Sequence, residues 1–171
     1  MNYHNITKDD MNNGDGIRVV LWVAGCEHHC PECHNPETWC YNSGIPFDYS
    51  ALKELREELR KDYVSGITIS GGDPFAPENR RATTGIVHWV RENFPSKTIW
   101  IYTGYTYEEL IGIGIVDPHI WCVLLEFDVL VDGKYNKDLR DTSLKWRGSS
   151  NQRVIDMKKS LSRMEVVLHC D

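Results

Sequence analysis

The chain holds 171 residues, 41% of them apolar and 26% charged, with a formal net charge of −6. That length supports one hydrophobic core and is short for two, and an acidic balance with Lys and Arg scattered argues against nucleic acid as a partner. No stretch of 18 apolar residues and no signal-like segment opens the chain, so a cytoplasmic protein with no membrane span is expected, read as a single domain over residues 1–171 with the tail from about residue 156 left unplaced.

The first legible strand is Arg18 to Val23, a Val-rich apolar run that stops at Ala24-Gly25 just before Cys26. A helix is predicted from Asp48 to Lys61: Leu52, Leu55 and Leu59 share one face, Glu57 precedes Lys61 by four residues, and Asp48 or Ser50 supplies the cap. Ile67 to Ser70 is a short strand, halted by Gly71-Gly72-Asp73-Pro74. A second helix spans about Asn79 to Glu92, burying Ile86, Val87 and Val90. Thr98 to Tyr102 is a strand ending at Thr103-Gly104, and Tyr107 to Ile111 a short helix. Pro118 to Leu125 is continuously apolar and reads equally as helix or strand. Phe127 to Val131 is a strand ending at Asp132-Gly133, and the tail beyond Gly148 offers Val154-Ile155 and Val166 to Leu168 as material for an edge strand.

Strands alternating with helices, with no hairpin signals between them, predict an α/β fold with a mostly parallel sheet. Loops leaving the C-terminal ends of such strands gather on one edge, where ligands bind. The cysteine loop, Gly71-Gly72-Asp73, Thr103-Gly104-Tyr105 and Asp132-Gly133 are therefore expected to face one shared site.

Six cysteines first raise a disulfide framework, but a chain with this much apolar material and no export signal does not need one. Cys26, Cys30 and Cys33 crowd into eight residues, a spacing that wraps one compact inorganic centre. Cys40, Cys122 and Cys170 stand alone and read as small buried or incidental thiols. A [4Fe–4S] cube held by three thiolates leaves one iron open to a chelating substrate. The rival is zinc completed by His28, His29, His34 or Cys40, although the second ligand pair usual in structural zinc sites is missing. His28 and His29 otherwise read as solvated loop residues. Gly71 and Gly72 let backbone approach a ligand closely, and the Asp73 carboxylate can take a positive charge; the alternative is an ordinary turn with Asp73 as its cap.

Cys26-x3-Cys30-x2-Cys33 followed by Ser70-Gly71-Gly72-Asp73-Pro74 resembles the radical SAM superfamily. Cys33-His34-Asn35-Pro36-Glu37-Thr38-Trp39, Ile101 to Tyr105, Val129 to Gly133 and Trp146 to Gln152 are similar, within it, to the activating proteins of anaerobic ribonucleoside-triphosphate reductase, a likeness running from Met1 to about Ile155. The resemblance implies a truncated, open (β/α) partial barrel. It implies a cluster on Cys26, Cys30 and Cys33 that cleaves S-adenosylmethionine (SAM) reductively, with the 5′-deoxyadenosyl radical abstracting hydrogen from a glycine of the reductase. Gly71, Gly72 and Asp73 would receive the methionine ammonium, and backbone at Glu32, Cys33 and His34 would contact adenine. Glu32 stands where many members carry an aromatic ring, and Asp73 where Glu is commonest. The implied partners are the reductase and an external low-potential electron donor, and a homodimer within a larger complex is compatible. Thr103, Asp132, Arg147 and Asn151 read equally as SAM or partner contacts and as loop or capping residues. Another glycyl-radical activase, a small-molecule radical SAM enzyme and a non-catalytic zinc or iron–sulfur module are the alternatives.

Overall fold

The computed structural model of the chain describes residues 1–170. Seven strands form one sheet: β1 (Asn2–Asp10), β2 (Ile17–Val23), β3 (Ile45–Pro46), β4 (Val64–Gly71), β5 (Thr98–Tyr102), β6 (Val129–Asp132) and β7 (Arg153–Asp156). Their order is β3-β1-β2-β4-β5-β6-β7. The four central strands run parallel. The edges are antiparallel, β1 against β2 and β3, and β7 against β6. The expected open α/β sheet is present, and its edges add what sequence periodicity did not disclose.

β1 is one such addition. Only Tyr3 and Ile6 of this polar strand are buried, too weak an alternation to register, yet its backbone closes a hairpin with β2. The turn between them holds Asn13-Gly14 and Asp15-Gly16, a hairpin signal that the reading of an uninterrupted strand–helix alternation passed over. The Asp10 carboxylate accepts from the amides of Asn12 and Asn13 and fixes that turn.

The helices follow their caps. In α1 (Tyr49–Leu59), the Asp48 side chain accepts from the amides of Ser50 and Ala51, and Ala51, Leu55 and Leu59 are buried. α2 (Arg80–Asn93) buries Ile86, Val87 and Val90 as their spacing requires. Thr106 and Glu109 form a reciprocal capping box for α3 (Tyr107–Gly114). The ambiguous apolar run is a helix, α4 (Pro118–Leu124): Asp117 caps it, Pro118 occupies its first turn, and Ile120, Val123 and Leu124 turn inward. The tail contributes β7 and then α5 (Met157–Arg163), with Leu168 bridging back to Ile155.

All five helices pack one face of the sheet, where Leu21, Ile67, Ile69, Ile99, Ile101 and Leu130 are buried in one continuous core. Among the described residues, no helix covers the opposite face. Trp100, Val129, Val131 and Val154 lie there, with Tyr102, Trp146 and Cys170 packed against them. The floor of this second face is a charge. Arg18 is fully buried and makes five hydrogen bonds, to Thr68 Oγ1, Thr98 Oγ1 and the carbonyls of Asp15, Ile67 and Thr98. Its guanidinium lies 5.3 Å from the Trp100 ring. Burial lowers its pKa to about 10, still high enough to keep the charge at neutral pH. One side chain thus ties together β2, β4, β5 and the β1–β2 turn.

Arg18→Met preserves most of the volume but strips those carbonyls and hydroxyls of their donor. Urea unfolding should show a loss of about 3 kcal/mol; a loss below about 1 kcal/mol would mean the acceptors find other partners.

Candidate cluster and ligand site

The cysteine loop leaves β2 and is closed at its base. The Gly25 amide donates to Thr38 O at 2.7 Å and the Cys26 amide to Trp39 O at 3.0 Å. A turn joins the Cys33 amide to Cys30 O. His29 and Glu32, at φ 47° and 58°, adopt the left-handed conformation that curls the chain between the cysteines.

Each of the three sulfurs receives a backbone N–H: Cys26 from His28 and His29, Cys30 from Tyr135, and Cys33 from Asn35 at 3.4 Å. Burial pushes the Cys26 thiol up to about 11 and raises Cys30, while these amides act in the opposite direction. Each thiol feels its neighbour, Cys26 that of Cys30 and Cys30 that of Cys33, so the three stand close together. Yet among the described residues no three side chains of His, Cys, Asp or Glu converge as donors to a single ion would. Donors to a cube meet its separate corners rather than one point, so thiols that cluster without converging, with amides aimed at their sulfurs, fit an iron–sulfur cluster.

The other zinc candidates are engaged elsewhere or exposed. His29 packs edge-on against Trp39 at 4.8 Å, His34 is exposed beside Tyr135, and Cys40 is exposed. His28 departs most from its reading as a solvated residue. Its imidazole packs edge-on against Tyr105 at 4.6 Å and its Nε2 donates to Asp73 Oδ2 at 2.7 Å. Its partner lies 45 positions away, so local sequence carries no trace of the contact.

Asp73 is buried, and its carboxylate is turned inward. It accepts from His28, the Thr103 hydroxyl, and the amides of Gly104 and Phe75. The side chain it meets is therefore the chain's own histidine. The paired glycines also serve the chain: a Cβ on Gly72 would come within 2.6 Å of Gly25 O, the room being taken by the cysteine loop itself. The amides of Gly72 and Asp73 donate to Val23 O and Gly25 O, and Asn79 Nδ2 donates to the carbonyls of Ala24, Gly25 and Asp73. Gly104 is required where it stands because a Cβ there would strike the His28 ring at 2.3 Å.

The four predicted loops do meet. The Gly133 amide donates to Tyr105 O, bringing the β6 loop to the β5 loop, and Tyr135 beyond it reaches Cys30. Of the residues with two open readings, Thr103 supports Asp73. Asp132 is buried, caps α3 at the Tyr107 amide and pairs with Arg153. Asn151 Nδ2 donates to Lys134 O. Arg147 donates to Gln152 O and lines a cavity. Glu32 is exposed, 3.6 Å from Lys137. Cys122 is exposed, which of its two readings, buried or incidental, leaves the incidental one.

That cavity, about 390 Å³, opens on the helix-free face with Cys33 and His34 on its rim and Trp22, Ser70, Tyr102 and Trp146 around it. Its size suits a small organic ligand. Tyr102 was not singled out as a site residue. The signal was there, since Trp100 and Tyr102 alternate with Ile99 and Ile101 and must point to the face opposite the helices.

A family model described as a 4Fe–4S single cluster domain matches residues 12–155. Among curated proteins, the chain is 44% identical over 154 residues to the anaerobic ribonucleoside-triphosphate reductase-activating protein of Enterobacteria phage T4, covering 90% of this chain and 93% of that protein. It is 42% identical over 158 residues to the protein of the same name from Escherichia coli K12, covering 90% and 97%, and 39% identical over 156 residues to that of Vibrio cholerae, covering 90% and 97%.

His28→Ala removes the link between the cysteine loop and Asp73 and leaves the helix-packed core untouched. Iron retained after anaerobic reconstitution and gel filtration should fall, with affinity reduced about 10-fold. Wild-type retention would free His28 of any part in holding the loop.

Proposed function

The chain belongs to the family of anaerobic ribonucleoside-triphosphate reductase-activating proteins, and from that premise we propose that it activates such a reductase by reductive cleavage of SAM. In this reading Cys26, Cys30 and Cys33 hold a [4Fe–4S] cluster as thiolates. A cluster held there would supply the electron, drawn from an external low-potential donor, that breaks the bond between the SAM sulfonium and its ribose carbon. The products are methionine and a 5′-deoxyadenosyl radical, which takes a hydrogen atom from the Cα of a glycine in the reductase and leaves 5′-deoxyadenosine and a glycyl radical.

The single observation that carries the reading is a cavity with one thiol of an amide-supported trio on its rim. The amides of His28 and His29 at Cys26 and of Tyr135 at Cys30 favour negative charge on sulfur. The turn from Gly71 to Asp73 receives the methionine ammonium through backbone, since the Asp73 carboxylate is committed to His28 and Thr103. Backbone at Glu32, Cys33 and His34 contacts adenine, the exposed Glu32 side chain leaving that task to the main chain. A sheet left open at β3 and β7 gives a glycine-bearing loop of the reductase a way in. The whole chain acts as one radical SAM domain, in the cytoplasm, in complex with the reductase and alone or as a homodimer.

Anaerobic incubation with dithionite and SAM should release 5′-deoxyadenosine, and adding the cognate reductase should produce a glycyl doublet by electron paramagnetic resonance. Cys30→Ala should stay soluble and release none. Metal analysis separates the binding-module alternative, about four irons and four sulfides per chain supporting the cluster and one zinc replacing it. An active cluster with no glycyl signal would reject the reductase as target.

A further inference from the structure

Three side chains of the Trp146 to Gln152 segment grip the loop that leaves β6. Gln152 Nε2 donates to Gly133 O at 2.9 Å, Asn151 Nδ2 donates to Lys134 O at 2.8 Å, and Ser149 Oγ accepts from the Asn136 amide at 3.1 Å. The grip falls on both sides of Tyr135 and skips that residue alone. The clamp is itself fixed: Ser149 is fully buried, and Gln152 Oε1 accepts from the amides of Gly148 and Ser149 at 3.0 and 3.2 Å. A Cβ on Gly148 would come within 3.1 Å of the Tyr135 ring, so the segment also packs directly against the residue it brackets.

What the bracketed residue faces is the cysteine loop. Lys137 Nζ lies 3.6 Å from Glu32, the Tyr135 and His34 rings are 6.3 Å apart, and the Tyr135 amide donates to the Cys30 sulfur. The donors at Cys26 and Cys33 belong to the cysteine loop itself, at His28, His29 and Asn35. At Cys30, apart from its own amide, the donor arrives from another strand end. A local donor is kept in place by the chain on either side of the cysteine. One supplied across space depends on whatever holds its loop, and here that is Ser149, Asn151 and Gln152.

We propose that Ser149, Asn151 and Gln152 are positioning residues that aim the Tyr135 amide at the Cys30 sulfur and so raise the reduction potential of the cluster bound there. The inference rests on the cluster of the function proposed above and is independent of SAM. An N–H aimed at a ligating sulfur stabilises the added electron, because hydrogen bonds to the sulfurs offset the negative charge gained on reduction. For a cluster filled by an external donor, that shift decides how much of it is reduced at a given donor potential.

The test is a redox titration of reconstituted, SAM-free protein with dithionite, followed by electron paramagnetic resonance, for the wild type, Gln152→Ala, Asn151→Ala and Tyr135→Phe. Gln152→Ala should lower the reduced-to-oxidised ratio at a fixed potential about 3- to 10-fold, a displacement of about 30–60 mV to the negative for one electron. Asn151→Ala removes one hold at an exposed side chain and should move the ratio the same way by less. Tyr135→Phe keeps the amide and should titrate as the wild type does. Unchanged potentials in Gln152→Ala and Asn151→Ala would overturn the proposal and leave the cluster reading standing. So would a shift in Tyr135→Phe as large as theirs, which would assign the effect to the phenol. Should Gln152→Ala fail to hold a cluster, Asn151→Ala decides alone. A wild type that assembles no [4Fe–4S] cluster would remove both readings.

Discussion

A carboxylate taken out of water must be met by donors on every side, and Asp73 is met by four. His28 comes from the cysteine loop, Thr103 and Gly104 from the end of β5, and Phe75 from its own turn. Because these bonds converge on one buried group, the three loops cannot shift independently. The position of the cysteines relative to the parallel strands follows from that single satisfied charge, and the close-packed glycines at 72 and 104 are what allow the loops near enough to make it.

The two faces of the sheet solve different problems. Against the helices, aliphatic side chains exclude water and supply most of the stabilisation. The other face has no helices to cover it and cannot be left as bare apolar surface. Its lower part is filled by Arg18, saturated with carbonyls and hydroxyls and stacked on Trp100, and by the β1–β2 turn pressed over them: a Cβ on Gly14 would come within 2.8 Å of Trp100. The flank is closed by the Trp100, Trp146 and His169 rings. What stays open is the upper part, beside Cys33. Trp146 to Gln152, one of the segments that carried the family likeness, wraps its own backbone around the Gln152 amide, which accepts from Gly148 and Ser149 and donates to Gly133 O. That loop forms a wall of the cavity and also fastens it to the β6 loop.

The central strands were legible because burial on both faces writes them as short apolar runs ended by glycine. The helices were legible because Leu55 and Leu59, or Ile86, Val87 and Val90, recur at helical spacing. β1 was not, since its stability lies in backbone pairing with β2 and its side chains are mostly polar. Arg18 was readable as the first residue of a strand but not as a buried one: its compensation comes from residues 50 and 80 positions away. The three cysteines were legible as a centre, and His28 between them was misread for want of its distant partner.

From local order alone, the sequence determined the alternation of strand and helix, the crowding of three thiols at one strand end, and the glycine turns at the others, because each depends on neighbours within a few residues. The tertiary structure decided the rest: that Asp73 faces inward to His28, that a guanidinium forms the floor of the helix-free face, and that Tyr102 buries a hydroxyl without a hydrogen-bond partner among the described residues. Those outcomes depend on which groups are brought together after the chain has folded, and a buried charge or hydroxyl acquires its role only from the partners it then finds or lacks.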